Sequence, residues 1–208
     1  MAILNGPLMS LDASGSVAGA LTFSKWKGRN YVRQLVVPAN PKSVKQVSVR
    51  AMMKFLSQGW AAIGATPKGT WVAPAAADSV SPFNAYIQRN LKRWASFLSP
   101  TQTYPAPNTG TVGTLSAQSI IAGVRQLTVQ VSLTAVNTNW LLLIHRSAST
   151  GFTPSFSTLV MAKVKTTTAA EQFVDTPLNP GTYYYRLVPC TTEGVMGAAF
   201  AEISGVAT

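Results

Sequence analysis

The chain has 208 residues, of which 47% are hydrophobic and only 11% are charged. The charged fraction is less than half of the roughly 25% that is usual in a soluble domain. A disordered chain is typically rich in charged residues and poor in apolar ones. The composition therefore excludes a disordered chain and predicts enough core material for one large or two small domains. A surface with so few charges is typical of a protein that is buried in a permanent assembly.

The net charge of +11 is unevenly distributed along the chain. Residues 1–100 contain 12 lysines and arginines against two acids, whereas residues 101–208 contain five against four. Because the halves have net charges of +10 and +1, we expect them to face different partners. The basic half is expected to attract nucleic acid or an acidic protein surface.

Targeting signals and disulfides are not predicted. Cys190 is the single cysteine, so no intrachain disulfide can form, which fits folding in a reducing compartment. The first residues, MAILNGP, lack the basic start and long apolar run of a secretory signal. No apolar run approaches the roughly 20 residues of a membrane span, and we therefore expect no membrane contact.

The N-terminal region is predicted to contain an arm and a β-hairpin. Residues 1–14 are short, apolar and broken by Asn5-Gly6-Pro7, which indicates an extended arm with a turn. Residues 16–25 and 31–37 are predicted as two strands, because small, aromatic and β-branched residues alternate there. Residues 27–30 are predicted as the hairpin loop, since glycine and asparagine accept positive φ angles.

Two helices are predicted after the hairpin. Asn40-Pro41 predicts the start of a helix over residues 41–63, with asparagine as the cap and proline in the first turn. Ser81-Pro82 repeats this signal and predicts a second helix over residues 82–98. The stretch between them, residues 64–80, is rich in Pro, Gly and Ala and is predicted as a loop.

The C-terminal half is predicted as an all-β sandwich. Residues 99–110 contain three prolines and are predicted as a linker between domain 15–98 and domain 111–208. Seven short alternating runs after the linker predict antiparallel strands. They are 111–117, 126–133, 140–146, 158–164, 171–175, 182–189 and 198–204. The predicted fold class is therefore α+β, with a β-hairpin and two helices followed by a β-sandwich.

One motif of this half resembles a known family. Leu178-Asn179-Pro180-Gly181-Thr182-Tyr183, followed by Gly194 and Gly197, is similar to the turn and strand near the end of a fibronectin type III or related immunoglobulin-like domain. The resemblance covers about residues 111–208 and implies such a sandwich. It also implies a tyrosine corner at Tyr183, with Tyr184 as the alternative. Trp140 is a departure, because the family places its tryptophan on the second strand and not on the third.

The N-terminal half carries a second set of landmarks. They are Gly15, Gly19, Trp26-Lys27-Gly28, Tyr31-Val32-Arg33, Asn40-Pro41, Gln46, Val49-Arg50 and Phe83-Asn84-Ala85. This pattern resembles uncharacterised proteins of tailed bacteriophages and prophages over about residues 15–95. The resemblance implies a virion structural protein that is assembled in the host cytoplasm. It implies capsid or tail subunits as partners, and symmetric self-association.

Cations and aromatic side chains cluster between residues 25 and 50. The candidate contact residues are Lys25, Trp26, Lys27, Arg29, Tyr31, Arg33, Lys42, Lys45 and Arg50. They are predicted to bind either an acidic protein surface or nucleic-acid phosphates, the third interpretation being a solvated hairpin tip. Because charge favours fast encounter more than tight binding, Trp26, Tyr31 and Trp71 are expected to anchor the contact. Trp60 and Trp94 are expected in the core.

The sequence offers little for catalysis. His145 is the only histidine and Cys190 the only cysteine, and the six acids are scattered, so neither a zinc site nor a carboxylate pair is indicated. We expect no catalytic, cofactor or metal site, and a non-enzymatic decoration, cement or tail-accessory protein. One alternative is a DNA-binding accessory or head–tail connector protein. The other is a host-glycan adhesion module, for which Phe152 and Phe156 are candidates.

Overall fold

The computed structural model describes residues 2–4, 15–17, 20–36, 40, 42–134, 140–164 and 169–208. They form a mixed α+β structure with antiparallel sheets and a β-rich C-terminal part, which confirms the predicted fold class at this level. The chain divides into two compact units, Met1–Pro41 and Lys42–Thr208.

The first unit is a four-stranded antiparallel sheet in the order β1-β4-β3-β2. Its strands are β1 (Ala2–Leu4), β2 (Gly15–Val17), β3 (Leu21–Trp26) and β4 (Arg29–Gln34). The predicted hairpin is present as β3 and β4, whereas the strand predicted over 16–25 is divided between β2 and β3. Part of the predicted arm is also a strand, because β1 pairs with β4. Residues 5–14 of that arm lie outside the described residues.

The second unit begins with four helices. They are α1 (Val44–Ala62), α2 (Ala65–Gly69), α3 (Val72–Ala77) and α4 (Pro82–Ala95). The prediction that Asn40 caps α1 is wrong, because Lys42 has a φ angle of 48° and a right-handed helix cannot continue through it. Ser43 takes the cap position instead, and Pro41 lies outside the described residues. The predicted loop 64–80 contains α2 and α3.

Helix α4 has well-defined ends. The Ser81 hydroxyl accepts a hydrogen bond of 3.2 Å from the Asn84 backbone N–H, which confirms the predicted cap. The helix ends at Ala95 and not at Leu98, because Phe97 has a φ angle of 54°. The Leu98 N–H then donates to the Arg93 carbonyl at 3.0 Å, which closes the helix in a Schellman motif.

Two antiparallel sheets follow the helices. One has the order β5-β6-β9, and the other β11-β10-β7-β8. All seven predicted strands are present, although β5 and β11 begin four and five residues later than predicted. The strands are β5 (Leu115–Gly123), β6 (Gln126–Leu133), β7 (Trp140–Ser147), β8 (Leu159–Val164), β9 (Glu171–Asp175), β10 (Gly181–Thr191) and β11 (Ile203–Ala207). Buried side chains from both sheets form one shared core.

Strand β7 is covered on both faces. Leu142 and Ile144 belong to the core between the two sheets. Leu141 and Leu143 belong to a second core, which they share with Met52 of α1 and other helical residues. Because successive side chains of a strand point to opposite faces, α1 and α4 form a third layer on the outer face of the β11-β10-β7-β8 sheet.

Residues 99–110, predicted as a linker, are packed into this helix–sheet layer. The buried Asn90 side chain accepts a hydrogen bond from the Thr101 N–H at 2.7 Å and donates to the Thr101 carbonyl at 3.0 Å. The Ser99 hydroxyl donates to the Thr191 carbonyl of β10 at 2.8 Å. The segment therefore connects α4 to β10 by direct hydrogen bonds, and the boundary between compact units falls at Pro41 and not here.

Candidate functional site

The turn between β3 and β4 is tighter than the predicted loop over residues 27–30. Lys27 and Gly28 have φ angles of 48° and 78°, and Trp26 pairs directly with Arg29. Two consecutive positive φ angles are characteristic of a two-residue type I′ turn, which suits the twist of a hairpin. Arg29 is therefore a strand residue, which gives its side chain a definite face of the sheet.

The strand register decides which candidate residues lie side by side. Trp26 is paired with Arg29, Ser24 with Tyr31, and Thr22 with Arg33. Because paired residues of antiparallel strands share a face, Trp26, Arg29, Tyr31 and Arg33 lie together, and we call them the basic hairpin face.

Lys25 lies on the opposite face of the same hairpin. It is paired with Asn30, next to the pair formed by Phe23 and Val32. Phe23 is buried, with 8% of its surface exposed. Lys25 therefore does not share a face with Arg29 and Arg33, because the period of two in a β-strand separates them.

The basic hairpin face combines an exposed aromatic ring with positive charge. Trp26 is 65% exposed, and the Lys27 Nζ lies 4.8 Å from its ring centroid, which is a cation–π contact. Arg29 and Arg33 are exposed, and Tyr31 is partly buried. Among the described residues of this unit none is acidic. A large aromatic side chain left in water beside cations is the type of residue that anchors interfaces.

Lys42, Lys45 and Arg50 belong to the second compact unit. All three are exposed: Lys42 lies just before α1, and Lys45 and Arg50 lie in the first two turns of the helix. Val49 and Met53 of the same helix are 39% and 40% exposed. The nine candidate contact residues are thus divided between the hairpin and the first turns of α1.

The acids of the described residues already have partners. The carboxylates of Asp78, Asp175 and Glu193 accept hydrogen bonds at 2.9, 2.6 and 2.7 Å. The donors are Arg89, Arg146 and Thr109, respectively. Glu171 forms an ion pair with Lys163, and Glu202 with Arg186. None of these five contacts uses a cation of the hairpin or of α1.

Trp71 was expected to anchor a contact, and this prediction is wrong. The side chain is fully buried, and its Nε1–H donates to the Gln102 carbonyl at 2.8 Å. Its ring packs edge-on against Tyr86, with centroids 5.3 Å apart. Trp94 is fully buried as predicted, and Trp60 is partly buried in the same core.

His145 and Cys190 are packing residues of the helix–sheet layer. His145 is 0% exposed, and its Nδ1 lies 2.9 Å from the Thr158 hydroxyl, an uncharged partner. Burial lowers the pKa of His145 to about 4 and raises the pKa of the Cys190 thiol to about 12. Both groups are therefore neutral near pH 7 and closed to solvent.

Metal and membrane features were searched over the same residues. Within the described ranges, no three His, Cys, Asp or Glu side chains lie close enough together to hold a metal ion. None of the described helices is both long enough and apolar enough to cross a membrane.

A pocket along α4 was not predicted. It has a volume of about 340 Å³, and we call it the α4 pocket. Its lining residues are Trp71, Arg89, Lys92, Arg93, Ser96, Leu98, Thr101, Tyr104 and Ala106. The helical spacing of the three cations was visible in the sequence. The aromatic walls were not, because Trp71 and Tyr104 come from segments predicted as a loop and a linker.

Two of the three cations in the α4 pocket have fixed partners. Arg89 bonds the Asp78 carboxylate at 2.9 Å and the Tyr104 hydroxyl at 3.2 Å. Arg93 donates to the Ser99 carbonyl at 2.9 Å, to the Asn108 side-chain oxygen at 3.2 Å and to the Gly194 carbonyl at 3.3 Å. Burial lowers the pKa of the Arg93 guanidinium, which still stays charged. Lys92 is exposed and makes no ion pair with any acid in the described ranges.

No family model, curated protein or solved structure matches this chain. Function is therefore inferred from three described features: the basic hairpin face, the exposed cations at the start of α1 and the α4 pocket.

Proposed function

We propose that this protein is a non-enzymatic structural protein of a tailed-bacteriophage virion. It docks on capsid or tail subunits through the basic hairpin face and the cations of α1, and it displays a fibronectin type III-like sandwich. Its role is that of a decoration, cement or tail-accessory protein. The observation that carries the proposal is the exposed Trp26 opposite Arg29, on the same face as Arg33.

In the proposed contact, Trp26 contributes binding free energy, whereas Arg29 and Arg33 contribute electrostatic attraction. Burying the exposed part of Trp26 against a partner contributes about 2–3 kcal/mol. Arg29 and Arg33 add salt-dependent attraction to an acidic surface, which mainly accelerates encounter. The expected partner surface is therefore acidic, with an apolar recess that receives the indole ring.

The strand arrangement and one hydrogen bond support the fibronectin type III-like assignment. A three-stranded sheet faces a four-stranded one, and β8 pairs with β7. In the constant-type immunoglobulin arrangement the corresponding strand joins the other sheet. The Tyr183 hydroxyl donates to the Asn179 carbonyl at 3.1 Å, as a tyrosine corner requires. This bond favours Tyr183 over Tyr184 for the corner. Trp140 begins β7, and its side chain lies outside the described residues.

The virion assignment is supported by the landmarks between residues 15 and 95 and by the low charge of the chain. We expect copies of this protein to associate symmetrically on the particle after synthesis in the host cytoplasm. A sandwich half with a net charge of +1 suits projection from a particle, because it has little attraction for the encapsidated nucleic acid.

Incorporation into particles tests the docking role. Trp26→Ser is expected to weaken particle binding about 30-fold, from the loss of about 2 kcal/mol. The double variant Arg29→Ser/Arg33→Ser should bind more weakly than the unmodified protein at about 0.02 M salt, and the difference should shrink at about 0.15 M salt, where the lost attraction is screened in any case. Lys25→Ser is the matched control on the opposite face and should incorporate like the unmodified protein. Unimpaired incorporation of Trp26→Ser would refute docking through this face.

A DNA-binding accessory or head–tail connector role is the second candidate, favoured by one observation. Trp26 and Tyr31 share a face with two arginines, which is the composition of a stacking surface for single-stranded nucleic acid. Retention of single-stranded DNA with a steep salt slope, lost in Trp26→Ser, would replace the capsid or tail proposal.

The host-glycan adhesion alternative requires exposed aromatic side chains on the loops of the sandwich. Phe156, one of its two candidate loop aromatics, packs against Trp94 with ring centroids 6.2 Å apart. Phe152 is only partly exposed.

A further inference from the structure

We propose that the α4 pocket binds an acidic side chain of a partner protein, a Glu or Asp with an apolar residue next to it. The carboxylate pairs with Lys92, and the apolar side chain lies against Leu98 and Tyr104. This site is in the second compact unit and uses no residue of the basic hairpin face, so it stands or fails independently of the proposed docking role.

The bonding of the three cations points to Lys92 as the group that meets a ligand. Arg89 is already neutralised by Asp78, and Arg93 is held by three uncharged oxygens. Lys92 makes no ion pair with an acid in the described ranges, and its ammonium is therefore the group of the pocket that is placed to meet a ligand. A carboxylate is the acidic group that a protein segment would bring to Lys92, and the apolar walls of the pocket favour such a segment over a free phosphate.

The walls of the pocket select the apolar neighbour. Leu98 and Tyr104 are 46% and 38% exposed, and the buried Trp71 lies beneath them. A volume of about 340 Å³ is at the small end of natural ligand sites and accommodates one or two side chains. An apolar side chain that fills this space removes the exposed apolar surface of Leu98 and Tyr104 from water, which favours binding.

The pocket is also formed in advance. Leu98 is fixed by the backbone bond from its N–H to the Arg93 carbonyl. Tyr104 is fixed by a bond of 2.9 Å from its N–H to the Thr70 hydroxyl, and its ring lies 4.9 Å from the Arg89 guanidinium carbon. Because few side chains must be ordered on binding, even a short peptide segment can bind measurably.

Two acetylated, amidated tetrapeptides, Gly-Leu-Glu-Gly and Gly-Leu-Gln-Gly, test the charge requirement on the full-length protein. The readout is the NMR shift of the Trp71 indole N–H during titration at about 0.05 M salt. We expect the glutamate peptide to bind up to about fivefold more tightly than the glutamine peptide, as for an exposed ion pair. Lys92→Gln should abolish that difference, and the control Lys54→Gln on α1 should retain it.

Three results would overturn the proposal. The first is equal binding of the two peptides, or no shift of the Trp71 indole signal with either peptide at about 10 mM. At that concentration even a complex with a millimolar Kd would be detected. The second is an undiminished preference for glutamate in Lys92→Gln. The third is a shift of the same indole by inorganic phosphate or a thymidine decanucleotide at lower concentration than the glutamate peptide, which would make the pocket a phosphate site.

Discussion

Leu143→Ala tests whether the helices and the two sheets of the second unit form one folding unit. Leu143 is 0% exposed and lies on the face of β7 that packs against the helices. Leu142, its neighbour, is 2% exposed and lies in the core between the sheets. The two substitutions are chemically identical and differ only in which core they enlarge.

The expected loss follows from the cavity that each substitution leaves. A fully buried Leu→Ala change lowers the free energy of unfolding by about 2–5 kcal/mol. In a unit of this size, each kcal/mol lowers Tm by about 2–4 °C. A loss of about 3 kcal/mol therefore lowers Tm by about 6–12 °C in either variant.

Two spectroscopic signals and calorimetry make the measurement decisive. Helix melting is followed by circular dichroism at 222 nm, and tertiary packing by tryptophan fluorescence, with the melt repeated in a calorimeter. If the layers are one unit, both signals shift together in both variants. If Leu143→Ala moves only the helical signal, or splits the calorimetric peak, the single folding unit is refuted and a separate sandwich domain is restored.

Two further substitutions test individual contacts. Tyr183→Phe removes the hydroxyl bond to Asn179 and should lower the free energy of unfolding in urea by about 1 kcal/mol. The control Tyr184→Phe should change it by less than about 0.5 kcal/mol, and equal losses would contradict the tyrosine corner. His145 has a folded pKa of about 4 against about 6.5 when unfolded, so the unfolded state binds its proton first as the pH falls. Its contribution to stability is therefore lost from about pH 6.5 down to about pH 4, and amounts to about 2 kcal/mol between pH 7 and pH 5. His145→Leu should remove this part of the pH dependence, and an unchanged pH profile in urea melts would show that the imidazole is not desolvated.

The sequence predicted those elements that depend on interactions between residues close together in the chain. Ser81 caps α4 because its hydroxyl reaches an N–H only three residues away. The β3–β4 hairpin follows from Lys27-Gly28, where glycine accepts the positive φ angle. Lys42 shows the limit of this reasoning, because its own positive φ angle moves the start of α1 past the strong Asn40-Pro41 signal.

Features that depend on distant partners could not be predicted from local patterns. Trp71 lies in a stretch rich in Pro, Gly and Ala, and its burial depends on distant partners: its bond to Gln102 and its packing against Tyr86. The proline-rich segment 99–110 is held by Asn90 and by β10, which no local pattern indicates. The walls of the α4 pocket are assembled from the same segments.

One such feature did leave a signal in the sequence. The run Leu141-Leu142-Leu143-Ile144 is continuously apolar, whereas a strand with one solvated face alternates. A continuous run indicates cover on both sides, and here the second cover is the helical layer. The split of the hairpin cations between two faces could likewise be predicted only once the turn had set the strand register.

The order of the layers along the chain has a consequence for synthesis. The helices α1 and α4 leave the ribosome before the strands β7, β8 and β10 that cover their apolar sides. At translation rates of about 5–20 residues per second, the interval between the synthesis of Trp94 and that of Val188 in β10 is on the order of 5–20 seconds. During that interval a nascent helical pair with exposed Met52 and Leu56 must be shielded by chaperones or by its own transient collapse. Weaker induction should therefore raise the yield of folded protein, because fewer such nascent chains are present at the same time.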